Sequence, residues 1–382
     1  MGYILDNSGK FAKREKLNSL QALRALAFLG VFLGHTECII FASTGSWGVS
    51  VFFVLSGFLM VYSHWDSNND SDGVLKVGVL SNLEFAVGKI RRLYPLYILT
   101  MLLSVPFFIE AQGSKELVSV LKDAIPKVLA NVFLVQAWIP DSDYYFSFNG
   151  VAWYLTVALF LYFMFPFVLR VIRKYKNKNT AIAVIVFTLL LQIVLGYIAF
   201  LLQDPSVTDN RTDTWFIYIF PLSRLEDFIL GCNLGYLFLQ TDKEKVNANL
   251  MTILEGFVML ILVVIIRYNH IKIYAPRAVG GPSGTDCWWR NVIIFTASTC
   301  LLVYLFAINK GAYSRLLTNK TLIWLGDLSA YAFLIHQPVM RYVRRAIVKV
   351  PYRPHYFAVG VISFAITIAL SVLWRKIISA SK

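Results

Sequence analysis

Between residues 17 and 64 the chain reads LNSLQALRALAFLGVFLGHTECIIFASTGSWGVSVFFVLSGFLMVYSH, two apolar runs long enough to cross the hydrocarbon core of a bilayer. The first of them carries Arg24 and His35. An ionisable side chain in a spanning helix costs roughly 2.5–3.5 kcal/mol to insert, so it faces a bundle interior or a wet cavity and marks a site. Arg24 and His35 are eleven residues apart. At 100° per residue that spacing brings them within about 20° of one helix face and separates them by about 16 Å along the axis. They line one groove.

The rest of the chain has the composition of a polytopic membrane protein. Of 382 residues, 57% are hydrophobic and 15% charged, against about 45–50% and 25% in a soluble domain, and the mean hydropathy is +0.61. The net charge of +14 would suit nucleic acid if it stood in a polar domain. Here Lys and Arg flank apolar runs, as expected of topology signals and contacts with anionic lipid, so no nucleic-acid partner is expected. The four cysteines, Cys38, Cys232, Cys287 and Cys300, lie far apart without a CxxC or metal-ligand spacing, and read as small core residues. No metal site and no permanently bound cofactor is expected. The polar start and a first apolar run with no A-x-A site after it read as a signal anchor rather than a cleaved peptide.

Lys10, Lys13, Arg14 and Lys16 place residues 1–17 in the cytoplasm as a tail by the positive-inside rule. From there the apolar runs count out about ten transmembrane helices, at about 19–41, 47–64, 85–109, 150–171, 180–202, 215–239, 250–267, 291–308, 321–341 and 355–374, with both termini cytoplasmic. The fold class is an all-α polytopic membrane protein. Residues 65–83 form a polar connection, and residues 112–148, with Lys122, Asp123, Pro126 and Lys127, read as an amphipathic segment near the outer interface. Residues 203–213 and the Gly-, Pro- and aromatic-rich stretch 269–290 are outer loops, and the second could help cover an acceptor. No internal repeat is visible, which counts against an inverted-repeat transporter.

The pairing of Arg24 and His35, followed by Phe52-Phe53-Val54-Leu55-Ser56-Gly57-Phe58, resembles the transmembrane acyltransferase-3 family, whose first helix carries Arg, ten residues, then His, and whose second carries FFxLSGF. Further along, Lys89-Ile90-Arg91-Arg92-Leu93-Tyr94-Pro95 resembles the family's RxxR, aromatic and proline. The first Arg has become Lys89, which keeps the charge and loses the planar fork. Trp153 and Leu155 match a W-x-L-x-x-E pattern whose acid is Ala158 here. Arg224, Asp227, Phe228 and Gly231 resemble R-x-x-E-F-x-x-G, with Glu226 as an extra carboxylate. Gly326, Ser329, Leu334, His336 and Pro338 resemble G-x-x-S-Y-x-x-Y-L-x-H-x-P, with the tyrosine at Tyr331 and Phe333 as the second aromatic.

The resemblance implies one acyltransferase domain over residues 1–382, with no SGNH-type domain after it, in the cytoplasmic (inner) membrane of a bacterium. It implies O-acyl transfer, O-acetyl transfer in particular, from cytoplasmic acetyl-CoA or another acyl-CoA to a hydroxyl of a glycan or lipid-linked glycan such as O-antigen, capsule or exopolysaccharide. His35 is then base or acyl carrier, Arg24 and Arg224 cations, and His336 a second catalytic histidine. Lys89, Arg91 and Arg92 are phosphate ligands or a plain topology anchor. Counted along their helices, His35 and His336 fall at similar depth in the outer half. Glu226 and Asp227 with Arg224 are substrate contacts or a structural ion pair. Ser56, Tyr94, Trp153 and Tyr331 are supports, Ser56 as a packing or bridging residue more than a nucleophile. The competing reading is a transporter or flippase of a small anionic solute or lipid-linked sugar that uses the same buried charges. Arg341, Arg344, Arg345, Lys349 and Arg353 are an anomaly in the ten-span count, which puts them outside. Either the count is off, or they form a basic outer surface that recruits an anionic acceptor.

Overall fold

The computed structural model describes residues 3–5, 11–13, 15–36, 41, 44–65, 78–201, 215–274, 286–347 and 355–380. The expected loop at 203–213, the cysteine Cys38 and the cations Lys349 and Arg353 lie outside the described residues; of the expected outer loop 269–290, residues 269–274 and 286–290 are helical and 275–285 lie outside them. The fold is helical, apart from a short antiparallel hairpin pairing Tyr3–Leu5 with Phe11–Lys13.

Six helices are long and apolar enough to cross a membrane among the described residues. They are α2 (Thr44–His64), α4 (Tyr94–Ala111), α7 (Trp153–Arg173), α8 (Lys178–Leu201), α10 (Ala248–Tyr274) and α14 (His355–Ala380). Four other expected spans carry helices of a different kind. The helix α1 (Asn18–Gly34) has 17 residues, and α11 (Asp286–Ile308) has 23, with the charged Asp286 and Arg290 in its sequence. The helix α9 (Pro221–Leu239) carries Arg224, Glu226 and Asp227, and α13 (Lys320–Ile347) carries Asp327, His336 and three arginines. Exposed apolar residues such as Val186, Phe187 and Leu190 on α8, or Val263 on α10, face outward as they would toward lipid tails. The chain is an integral membrane protein.

The centre of the bundle is α2. In its most apolar window 83% is buried, against 17% for α10 at the periphery, and it packs on α1, α7, α9 and α11. Glycine makes the tightest of these contacts. A Cβ on Gly57 would overlap the Phe228 carbonyl oxygen, and one on Gly231 the Val54 carbonyl oxygen. Gly231 and Gly235 form a G-x-x-x-G face, the spacing that lets two backbones approach within van der Waals contact. The Gly57 of FFxLSGF is therefore a point of helix contact. Gly326 does the same for α13, because a Cβ there would meet the backbone of Gln21 on α1.

Several boundaries differ from the sequence reading: α10, α11, α13 and α14 run past their expected limits, and the larger differences lie earlier in the chain. The first span was expected to run to about residue 41, yet α1 stops at Gly34, where the backbone packs on Gly45 and the His35 and Thr36 amides bond back to Phe32 and Leu33 in a tightened last turn. The third span was expected to open at about residue 85. Instead α3 (Val79–Ile90) ends before Arg91, and α4 begins at Tyr94 with Pro95 in its first turn, where a missing N–H costs nothing. The helix α3 joins residues 79–83, expected at the end of a polar connection, to residues 85–90, expected at the opening of the third span. It lays Asn82, Ala86 and Ile90 against α7 and leaves Val79, Leu80, Leu83 and Val87 exposed, an amphipathic stripe of helical period.

Residues 112–148, read as interfacial, contain α5 (Leu117–Val132), which exposes Leu117, Val118, Leu121, Ile125 and Leu129. Its buried Lys127 donates to Asp123 at 2.7 Å, and that hydrogen bond holds the Asp123 carboxyl below its usual range.

The glycine contacts make a controlled test. Gly231→Ala forces α2 and α9 apart and should cost about 1–3 kcal/mol, as overpacking does, lowering the melting temperature and monodisperse yield in detergent. Gly88→Ala, at a site with nothing within 4 Å, should change neither.

Candidate functional site

The last turn of α1 aims His35 inward. Its Nδ1 lies 2.8 Å from the Val31 carbonyl. On α13 the Nδ1 of His336 lies 2.7 Å from the Phe333 carbonyl. A carbonyl only accepts, so in both rings Nδ1 carries the proton and Nε2 keeps its lone pair. The two rings meet edge to face with centroids 5.1 Å apart. His336 is fully buried, and its Nε2 has no hydrogen-bond partner among the described residues. His35 borders a cavity of about 300 Å³ together with Ser46, Trp153, Tyr218, Phe333, Gln337 and Arg341.

Arg24 borders a second cavity of about 210 Å³, walled by Ser56, Met60, Leu93, Tyr154, Tyr162 and Phe333 among others. Its guanidinium makes no hydrogen bond or ion pair among the described residues. Phe333 is common to both linings. It packs against Tyr154 and Phe52 with ring centroids 5.0 and 5.9 Å apart, and Phe52 lies 6.1 Å from Tyr154, so three rings close the space between the chambers. No carboxylate lines either chamber among the described residues. The imidazole of His35 is the base that can act there.

The two chambers sit toward opposite ends of α1. At the His35 end lie the C-terminal parts of α4 and α13, joined by Arg345 to Glu110 at 2.9 Å and by Tyr342 to the Leu103 carbonyl at 2.8 Å. At the Arg24 end lie the close of α2 and the start of α4, and Lys16 pairs with Asp327 at the start of α13 at 2.7 Å. The basic residues of 341–347 thus share an end with His35. Arg341 spends one N–H on the Phe148 carbonyl at 2.9 Å and lies over the Phe107 ring, while Arg345 is taken by Glu110.

The other expected site residues divide. Arg91 and Arg92 are exposed at the α3–α4 break, beside Leu93 of the Arg24 chamber. Lys89 instead turns to His64, with Nζ to Nε2 at 3.1 Å. Tyr94 donates to the Val132 carbonyl at 2.8 Å. The Ser56 hydroxyl donates to the Phe52 carbonyl at 2.8 Å at the wall of the Arg24 chamber. Trp153 packs on Tyr218, and Tyr331 packs half-buried against the core. Glu226 borders a small separate cavity with Gln192 and Ser223.

Arg224 is fully buried, and its guanidinium lies 3.0 Å from the Asp227 carboxylate and 3.2 Å from the Ser50 hydroxyl, over the rings of Phe53 and Tyr218. Asp227 also accepts from Gln192 at 3.0 Å and Thr296 at 3.1 Å. Arg224 lines neither chamber.

Sequence reading missed the cover of the His35 chamber. Phe146, Gly150 and Val151 line it from the segment that joins the short helix α6 (Ser142–Tyr145) to α7. Pro338 explains the attachment. Lacking an N–H, it leaves the Leu334 carbonyl without its helical donor, and Asn149 Nδ2 takes that carbonyl at 2.9 Å and the Thr100 hydroxyl at 3.0 Å. Phe148 stands beside it at φ 56, a left-handed conformation held by the Arg341 bond to its carbonyl. A proline two residues past His336 was the available signal, because a spanning helix with a proline needs a donor from elsewhere. Among the described residues no group of His, Cys, Asp and Glu converges that could hold a metal ion.

The buried pair can be tested by stability. Asp227→Asn leaves Arg224 charged and uncompensated and should cost about 3–5 kcal/mol. The double variant Asp227→Asn with Arg224→Met should melt above the single one in detergent. A double variant less stable than the single would show that Arg224 is held by something other than this ion pair.

Comparison with known proteins fits this geometry. The chain is 26% identical over 363 residues to the acyltransferase MdmB of Streptomyces mycarofaciens, covering 86% of this chain and 80% of that protein. It is 24% identical over 360 residues to the O-acetyltransferase OatA of Staphylococcus aureus, covering 87% of this chain and 53% of OatA. It is 24% identical over 352 residues to the peptidoglycan O-acetyltransferase OatA of Listeria monocytogenes, covering 86% of this chain and 50% of that protein. The chain thus spans about half the length of the OatA relatives it matches. No solved structure matches. The model of the acyltransferase-3 family, described as an acyltransferase domain, matches residues 17–372, so the chain belongs to that family.

Proposed function

We propose that the chain is an O-acyltransferase of the bacterial cytoplasmic membrane, with ten spans and both termini in the cytoplasm. It takes an acyl group, acetyl above all, from an acyl-CoA on the cytoplasmic side. It passes the group to a hydroxyl of a glycan or lipid-linked glycan at the outer face. One observation carries the reading: a single helix, α1, presents an unpaired Arg24 to one chamber and the base His35 to another, with no other base in either lining among the described residues. The OatA relatives, named O-acetyltransferases, support a glycan acceptor.

The separation of about 16 Å between Arg24 and His35 divides the work. Arg24 is too far from His35 to stabilise an oxyanion formed beside it, so it holds the donor. The donor's phosphates meet Arg91 and Arg92, exposed where α3 breaks into α4 at the edge of the Arg24 chamber. In the other chamber His35 takes the acceptor's hydroxyl proton at Nε2. His336 lies behind it and does not border the chamber, so it acts by holding the His35 ring. Gln337 and Arg341 are the donors on the far wall that orient the acceptor.

Purified protein in detergent tests the reading directly. It should release CoA thiol from acetyl-CoA, and His35→Ala and Arg24→Ala should each reduce that rate at least 100-fold while elution profile and melting temperature stay near wild type. A transporter or flippase would release no thiol, and near-normal release by either variant would remove that residue from the mechanism.

The orientation carries its own test. With α1 running outward, the α13 end lies outside, so a cysteine in Arg345→Cys should react with a membrane-impermeant thiol reagent in cells stripped only of their outer barrier. Reaction only after the cytoplasmic membrane is broken would invert the topology.

A further inference from the structure

The reaction proposed above requires a thioester carbonyl and the hydroxyl held by His35 to come within about 3–3.5 Å. The donor enters on the Arg24 side, and Phe52, Tyr154 and Phe333 stand between. Two of these rings are fixed. Phe52 belongs to α2, whose backbone is clamped to α9 at Gly57 and Gly231. Tyr154 is stacked on the buried Phe53 at 4.7 Å and packs against Phe52 and Phe333. Phe333 differs, because it alone of the three borders open space on both sides. It is the ring of the three with open space on either side to turn into.

We propose that these three rings are an acyl-size filter, with Phe333 its specificity-determining residue, which admits short acyl thioesters and rejects long-chain ones. The proposal rests on the acyltransferase reading and adds the donor's chemical class to it. Phe333 swings aside to let the acyl end through, and its ring then bounds the space left for the chain beside the acceptor in a chamber of about 300 Å³. Every added methylene competes with that ring and with the acceptor for the same volume. In the transfer the acyl C–S bond breaks as the acyl C–O bond forms. The hydroxyl proton passes to Nε2 of His35 and then to the departing thiolate, so CoA leaves as the free thiol.

The position of Phe333 also links the filter to the catalytic pair. Its ring centroid is 5.9 Å from that of His336, and its carbonyl accepts from His336 Nδ1. Motion at Phe333 is therefore confined to the side chain, since the backbone is tied to the histidine that supports His35.

The test uses full-length protein in detergent with acetyl-, butyryl-, hexanoyl- and octanoyl-CoA, reading thiol release. Wild type should favour acetyl-CoA over hexanoyl-CoA at least 100-fold in kcat/KM. Phe333→Ala, which joins the two chambers, should reduce that ratio at least tenfold by raising the hexanoyl rate, and Phe333→Leu should fall between. Melting temperature and elution profile identify folded variants, and Phe333→Leu carries the comparison if the alanine variant does not fold. Folded variants that keep the wild-type ratio, or a wild type that prefers long chains, overturn the filter while leaving acyl transfer standing. A wild type that releases thiol from none of the four overturns the acyltransferase reading and the filter with it.

Discussion

A guanidinium inside an apolar bundle must be met by an anion, by hydrogen-bond acceptors or by a cavity that can hold water or substrate. This chain meets the requirement in two ways. Arg224 has Asp227 three residues on, at 3.0 Å, and is closed over by aromatic rings. Arg24 has neither anion nor acceptor among the described residues and borders a chamber instead. The first arrangement supplies the counter-charge from within the protein. The second leaves the half-buried Arg24 open to its chamber, which is why the proposed function turns on Arg24 rather than on the fully buried, paired cation of α9.

What keeps the chambers open is the tightness of everything around them. The helices α2 and α9 approach until the carbonyls of Val54 and Phe228 would touch a Cβ on Gly231 or Gly57, and α13 approaches α1 at Gly326 to the same limit. Close contact at these points fixes the helix axes, so the space between α1, α2, α7 and α13 cannot collapse when it is empty. On the His35 side the cover is held by polar bonds rather than packing. Asn149 replaces the donor that Pro338 lacks, and Gln337 accepts from the Val151 amide at 3.2 Å. A proline that would weaken an isolated helix becomes, beside Asn149, the anchor of the chamber's wall.

Much of this was legible in the sequence because ionisable residues in apolar runs are few and helical period is simple. Counting along two helices puts His35 and His336 at one depth, and their rings lie 5.1 Å apart. The early end of α1 was not legible, since Gly34, the last residue of the helix, packs on Gly45 eleven residues later, and no local pattern announces that. Nor was α3, a 12-residue helix whose stripe is too short to separate from a loop rich in charge. The aromatic wall was hidden in a different way. Phe52, Tyr154 and Phe333 each sit within or beside a recognisable motif, but they come from α2, α7 and α13, and only the tertiary fold brings them together.

The wall also explains why one helix can hold both ends of the proposed chemistry. An open channel from Arg24 to His35 would let water and ions cross, and in a bilayer such a path would short-circuit the membrane. Three rings with centroids 5.0–6.1 Å apart close it with apolar surface. In the proposed transfer the thioester chain replaces ring contacts with its own, and so opens the wall without wetting it. An enzyme whose donor and acceptor lie on opposite sides of a membrane has to pass a group and retain a barrier in the same place, and a single turning side chain between two fixed ones satisfies both demands.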